Sequence, residues 1–171
     1  MRCHLSEDLQ VATLIAYTFG WRIQSEVLTL ERRHVDLEAG TLRLDPGMTK
    51  NDDGRIVYLT PDLKIALVGQ LERVKVLERR LGRIVPYVFP HEGKGRRAGQ
   101  RRQDFRKAWA TACKNAGVPG RYRHDFRRTA VRNMERRGVP RSVATKITGT
   151  GRSRSTGATR SSVTLTCEKR H

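Results

Sequence analysis

HDFRRTAVRNMERRGVPRSVATKITG, residues 124–149, is the stretch on which the reading of this chain turns. His124 and Asp125 open a run that reads as a helix to Arg137. Gly138-Val139-Pro140 then makes a corner, because glycine accepts left-handed backbone and proline cannot continue a helix. A shorter helix follows over 141–147, and Gly149 marks a boundary in composition. Residues 150–171 are dominated by Ser, Thr and Arg and carry no apolar stripe. Such a segment cannot bury enough apolar surface to offset the entropy of ordering it. The expected organisation is one domain over 1–149 and a Ser/Thr/Arg-rich tail over 150–171 that is disordered or out of frame.

Upstream, Ser6 caps a helix with Glu7 and Asp8 in its first turn and Leu9, Ala12, Ile15 and Phe19 at helical spacing, ended by Gly20. A second helix is expected over 24–30, with Glu26 on it. Thr41 to Leu44 and Arg55 to Leu59 read as strands joined through the turn Asn51-Asp52-Asp53-Gly54, which puts Lys50 near a hairpin tip. Thr60-Pro61 starts a helix that runs to Gly82. A short buried strand over 85–89, an exposed basic loop over 91–102 and a helix carrying Phe105, Trp109, Ala112 and Cys113 complete the pass. The fold class is α+β: mainly helical, with a small antiparallel β-sheet.

Lys and Arg number 35 against 17 Asp and Glu, a net charge of +18 with a pI near 11.1. That balance points to a polyanionic partner, with double-stranded DNA as the leading candidate. No stretch approaches the roughly 18 apolar residues of a membrane span, and Met1 to Ser6 has no apolar core for a signal peptide. A cytoplasmic protein without a membrane partner is expected. Cys3, Cys113 and Cys167 are scattered, and Cys3 beside His4 cannot close a tetrahedral shell, so neither a disulfide framework nor a metal or other cofactor is implied.

Four segments stand out in order: Gly20-Trp21-Arg22 with Glu26, Thr49-Lys50-Asn51, His124-Asp125-Phe126-Arg127, and Thr148-Gly149 after a short helix. Each has a plain competitor. Arg22 alone reads as a solvated charge, Lys50 as an ordinary hairpin lysine, and His124 as the cap of a helix. Together they resemble the catalytic domain of the tyrosine site-specific recombinases, the phage integrase family, over roughly residues 5–149.

The resemblance implies a DNA-binding domain of DNA integration and recombination. Arg22 and Arg127 would hold the scissile phosphate, a role suited to a permanently charged planar fork of donors. Lys50 would protonate the leaving sugar oxygen, His124 would assist proton transfer, and Glu26 would steady the arginines. The family works as tetramers on paired sites, so a homo-oligomer on DNA is expected only if the means of assembly survive.

Three departures follow. One residue more than the commonest family spacing separates Arg22 from Glu26. The family usually carries a further DNA-binding domain before this one, whereas here the chain begins at the first helix. The family also places a His or Trp directly after Thr-Gly and its nucleophilic Tyr about nine residues later, where this chain has Thr150 and Thr159. An aliphatic hydroxyl is far less acidic than a phenol of pKa about 10 and is a poorer leaving group when the phosphoenzyme is resolved. With no tyrosine after Tyr122, catalytic inactivity is expected.

A minus-one reading frame makes residue 150 His, 158 Arg and 159 Tyr if the codons of Gly149, Gly157 and Ala158 end in C, C and T. That makes a frameshift near Gly149 the expected origin of the tail. Two other functions compete. One is a DNA-binding regulator using 130–147 as a helix-turn-helix. The other is a basic RNA-binding protein, for which 6% aromatic residues provide few stacking platforms.

Overall fold

The computed structural model describes residues 4–48, 54–120 and 125–149. Helix α1 spans Glu7–Phe19 and α2 Pro61–Leu81, with the strands β1 (Val35–Asp36), β2 (Thr41–Leu44) and β3 (Arg55–Tyr58) between them. After α2 come α3 (Arg106–Asn115), α4 (Asp125–Arg136) and α5 (Arg141–Thr148).

Helix α1 is the central member because its apolar stripe is wide: Leu9, Ala12, Ile15, Ala16 and Phe19 are all buried. It packs against α2 on one side and α4 on another. Helix α2 begins as its sequence dictates, with Thr60 Oγ1 accepting from the Leu63 N–H at 3.4 Å and Pro61 at the first helical position. The strands form an antiparallel sheet in the order β1-β2-β3, with Leu42 opposite Val57 and Leu44 opposite Arg55. Opposed residues share a face, and Leu42, Leu44, Val57 and Arg55 are all buried. Arg55 therefore enters the sheet on its core side, while Ile56 and Tyr58 face outward.

Two expectations need correction. In place of a regular helix over 24–30 there is a single π turn, Ile23–Val27, whose Val27 N–H reaches back five residues to the Arg22 carbonyl at 3.0 Å. Residues 85–89 form no named strand. They run beside 30–32 through Val88 N–H to Leu30 O, Arg32 N–H to Pro86 O and one Glu31–Tyr87 bridge, with Val85, Val88 and Phe89 buried. The basic loop over 91–102 is largely exposed, as expected, and is also tied down. Its backbone bonds to itself at His91, Gly99 and Gln100, its Ala98 is buried, and Arg102 donates to the buried Asp8 of α1 at 2.7 Å.

The corner at 138–140 forms as expected between α4 and α5. An aromatic chain docks the start of α4: Trp109 of α3 stands edge-on to Phe105 and to Phe126, with ring centroids 6.4 and 5.3 Å apart. Phe126 precedes Arg127, so this packing fixes where Arg127 enters the site.

Candidate phosphate-binding site

The ends of α1 and α5 and the start of α4 converge because Gly20 lets them. It caps α1 with φ +69°, and a Cβ there would lie 2.9 Å from Thr148 Cγ2 and 3.1 Å from Ala130 Cβ. Only glycine combines that backbone with that proximity. The next residue, Trp21, is buried and its indole N–H donates to the Ile147 carbonyl at 3.0 Å.

Arg22 follows, half-exposed, and the π turn places Glu26 directly under it. The Arg22 backbone N–H donates to Glu26 Oε2 at 2.6 Å, and its Nη1 lies 3.5 Å from Oε1. The extra residue between the two is thus absorbed by the π turn, a feature frequent at functional sites. Glu26 is wholly buried, and its second cationic partner is Arg55, whose Nη1 is 3.4 Å from Oε1.

Arg127 completes the group. Its Nη2 donates to the Thr148 carbonyl, and Arg55 Nη1 approaches the same carbonyl at 3.4 Å. The last carbonyls of α5, which lack intrahelical partners and carry the negative end of the helix dipole, are therefore capped by Trp21, Arg127 and Arg55. Burial pulls the Arg127 pKa below its usual value; Glu26 opposes the shift, and Arg22 and Arg55 add to it. Arg127 Nη1 is buried and has no hydrogen-bond partner among the described residues. A buried donor in that condition costs free energy until an acceptor arrives.

Three arginines around one carboxylate leave an excess of two positive charges. Arg22 and Arg127 line a cleft of about 940 Å³ whose walls also include Gly20, Arg33, Arg101 and Gln103. Arg33 is bonded to Glu31 at 2.7 Å and lies 3.3 Å from Asp45, so its charge is largely committed. Among the described residues no three His, Cys, Asp or Glu side chains are grouped to hold a metal ion. Among the described residues, the permanent cations lining the cleft are guanidiniums, which bind phosphate oxygens through paired donors.

Of the residues singled out from sequence, Arg22, Glu26 and Arg127 come together. Lys50, His124, Thr150 and Thr159 lie outside the described residues. Two participants are not apparent from sequence. Arg55 reads there only as the start of a strand, and Arg101 only as part of an exposed loop. The signal for Arg55 is its register, opposite Leu44 and two residues before Val57.

The profile described as "Phage integrase family" matches residues 3–159. No curated protein matches the chain. Among solved structures, the fold is similar to that titled "Crystal structure of XerA recombinase", with a TM-score of 0.62 at 22% identity. The match covers 84% of this chain and 49% of that one, so the chain spans about half the length of that relative. Among the described residues no helix is long and apolar enough to cross a membrane.

Proposed function

The chain belongs to the phage integrase family, and from that premise we propose that it binds duplex DNA by gripping one phosphodiester between Arg22 and Arg127 and does not cleave it. Its fold is that of a tyrosine recombinase catalytic domain. The observation that carries the reading is the buried Arg127 Nη1, which has no partner among the described residues and belongs to a side chain that lines a cleft together with Arg22. A phosphate oxygen supplies the missing acceptor, and a second oxygen can meet Arg22. Lys50 and His124 complete the clamp in this reading.

The clamp would stabilise the negative charge that develops on phosphorus during strand cleavage. The attacking group is what the sequence lacks: Thr159 stands where the family has tyrosine. With few base contacts, binding is dominated by backbone phosphates and shows little sequence preference.

The helix-turn-helix reading explains the corner between α4 and α5 but leaves the Arg22–Glu26–Arg127 convergence without a purpose. The experiment for the proposal is duplex binding followed by fluorescence anisotropy over a range of salt. Affinity should fall steeply with salt, and a flat profile would contradict it.

A further inference from the structure

We propose that Arg55 is a positioning residue for the phosphate clamp, acting through Glu26 and the end of α5; the inference rests on the clamp reading above. Arg55 is on β3, the strand that follows the segment carrying Lys50, yet its side chain is 6% exposed and points to the core face of the sheet. A guanidinium is rarely buried without a reason, because desolvation is costly unless partners compensate.

Its partners are the two acceptors that hold the clamp arginines. Nη1 lies 3.4 Å from Glu26 Oε1, the carboxylate that holds Arg22, and 3.4 Å from the Thr148 carbonyl, which also receives Arg127. Arg55 thus bridges what holds Arg22 and what holds Arg127. The close fit continues at Gly149, the αL cap of α5, where a Cβ would overlap the Arg55 guanidinium.

Without Arg55, Glu26 would keep Arg22 as its one guanidinium partner and draw it deeper, away from the cleft. The Thr148 carbonyl would lose one of the two guanidiniums that approach it. Arg55 supplies the second cation to each acceptor and so leaves part of Arg22 and Arg127 available to an incoming anion. It touches no phosphate itself, since it does not line the cleft.

The test uses the full chain and inorganic sulfate as probe, at ionic strength held constant with chloride. Sulfate affinity is read from thermal shifts for the wild type, Arg22→Gln, Arg55→Gln, Glu26→Gln and the Glu26→Gln/Arg55→Gln pair. Arg22→Gln and Arg55→Gln should each weaken sulfate binding roughly tenfold, about the worth of one charge-assisted hydrogen bond. In the Glu26→Gln background the cost of Arg55→Gln should shrink to about threefold or less, since most of its action passes through the carboxylate.

An equal cost in both backgrounds would mean that Arg55 acts by its charge alone and would overturn the inference. A cost at Arg22→Gln with none at Arg55→Gln would overturn it as well and leave the clamp reading standing. Sulfate binding indifferent to Arg22→Gln would remove the clamp reading and the inference together. Arg55→Lys keeps the charge but cannot span both acceptors, so it decides the matter if Arg55→Gln fails to fold. Sulfate binding by Arg55→Lys equal to the wild type would then overturn the inference.

Discussion

The backbone N–H of Arg22 donates to Glu26 Oε2 at 2.6 Å across one π turn, so the carboxylate that pairs with the Arg22 side chain also fixes the position of its backbone. Arg22 is held twice by one buried acid. Its guanidinium therefore meets a ligand with little conformational freedom left to lose, which favours binding.

The convergence of α1, α4 and α5 depends on a residue without a side chain. Gly20→Ala is expected to destabilise the fold by about 1–3 kcal/mol, from left-handed backbone and the close approach of Thr148 and Ala130. Urea denaturation measures it. A midpoint equal to the wild type would mean that the three elements do not meet there.

The half-buried Glu92 gives a pH dependence. Glu92 Oε1 is buried without a hydrogen-bond partner among the described residues, and burial first, then Asp8, raises its pKa above the usual carboxylate value. An acid whose pKa is raised by folding stabilises the fold while protonated. That contribution is complete below the unfolded value of about 4.3 and disappears as pH rises through the folded value. Glu92→Gln should therefore raise Tm at pH 7 and have a smaller effect near pH 4. An equal gain at both would trace the effect to packing instead of charge.

Loss of the nucleophile is tested by trapping. A suicide-type nicked duplex should give no covalent protein–DNA adduct on a denaturing gel. Thr159→Tyr alone should not restore one, because His is also absent at position 150. A trapped adduct in the wild-type chain would overturn the assignment of inactivity.

The origin of the tail is read from the gene. The minus-one frame after the Gly149 codon should encode His at 150, Arg at 158 and Tyr at 159. A frame without the His and the Tyr would end the frameshift account. The family match reaches residue 159, ten residues past Gly149.

Much of the fold is legible in the sequence. The Gly20 stop, the Thr60-Pro61 start and the Gly138-Val139-Pro140 corner act through local backbone rules, and each stands where its residues place it. The features that sequence does not reveal depend on partners remote along the chain. The alternation in Arg55-Ile56-Val57-Tyr58 allows either face to turn inward, and only pairing with Leu42 and Leu44 selects the face carrying the arginine. Segment 91–102 has no apolar period to announce its order, which comes from backbone bonds and the Arg102–Asp8 pair. The π turn has no signature beyond one residue of unusual spacing.

The sharpest test of the clamp is duplex affinity against salt for the wild type, Arg22→Ala, Arg127→Ala and Arg79→Ala. Arg79 lies exposed in the last turn of α2 and does not line the cleft, whereas Arg101 does line it and cannot serve as control. Each phosphate contact adds about 0.9 to the slope of log affinity against log salt. Arg22→Ala and Arg127→Ala should each lower affinity about tenfold or more and flatten the slope by roughly one contact, with Arg79→Ala close to the wild type. Equal losses in all three variants would mean that these arginines belong to a diffuse positive field and that no clamp exists.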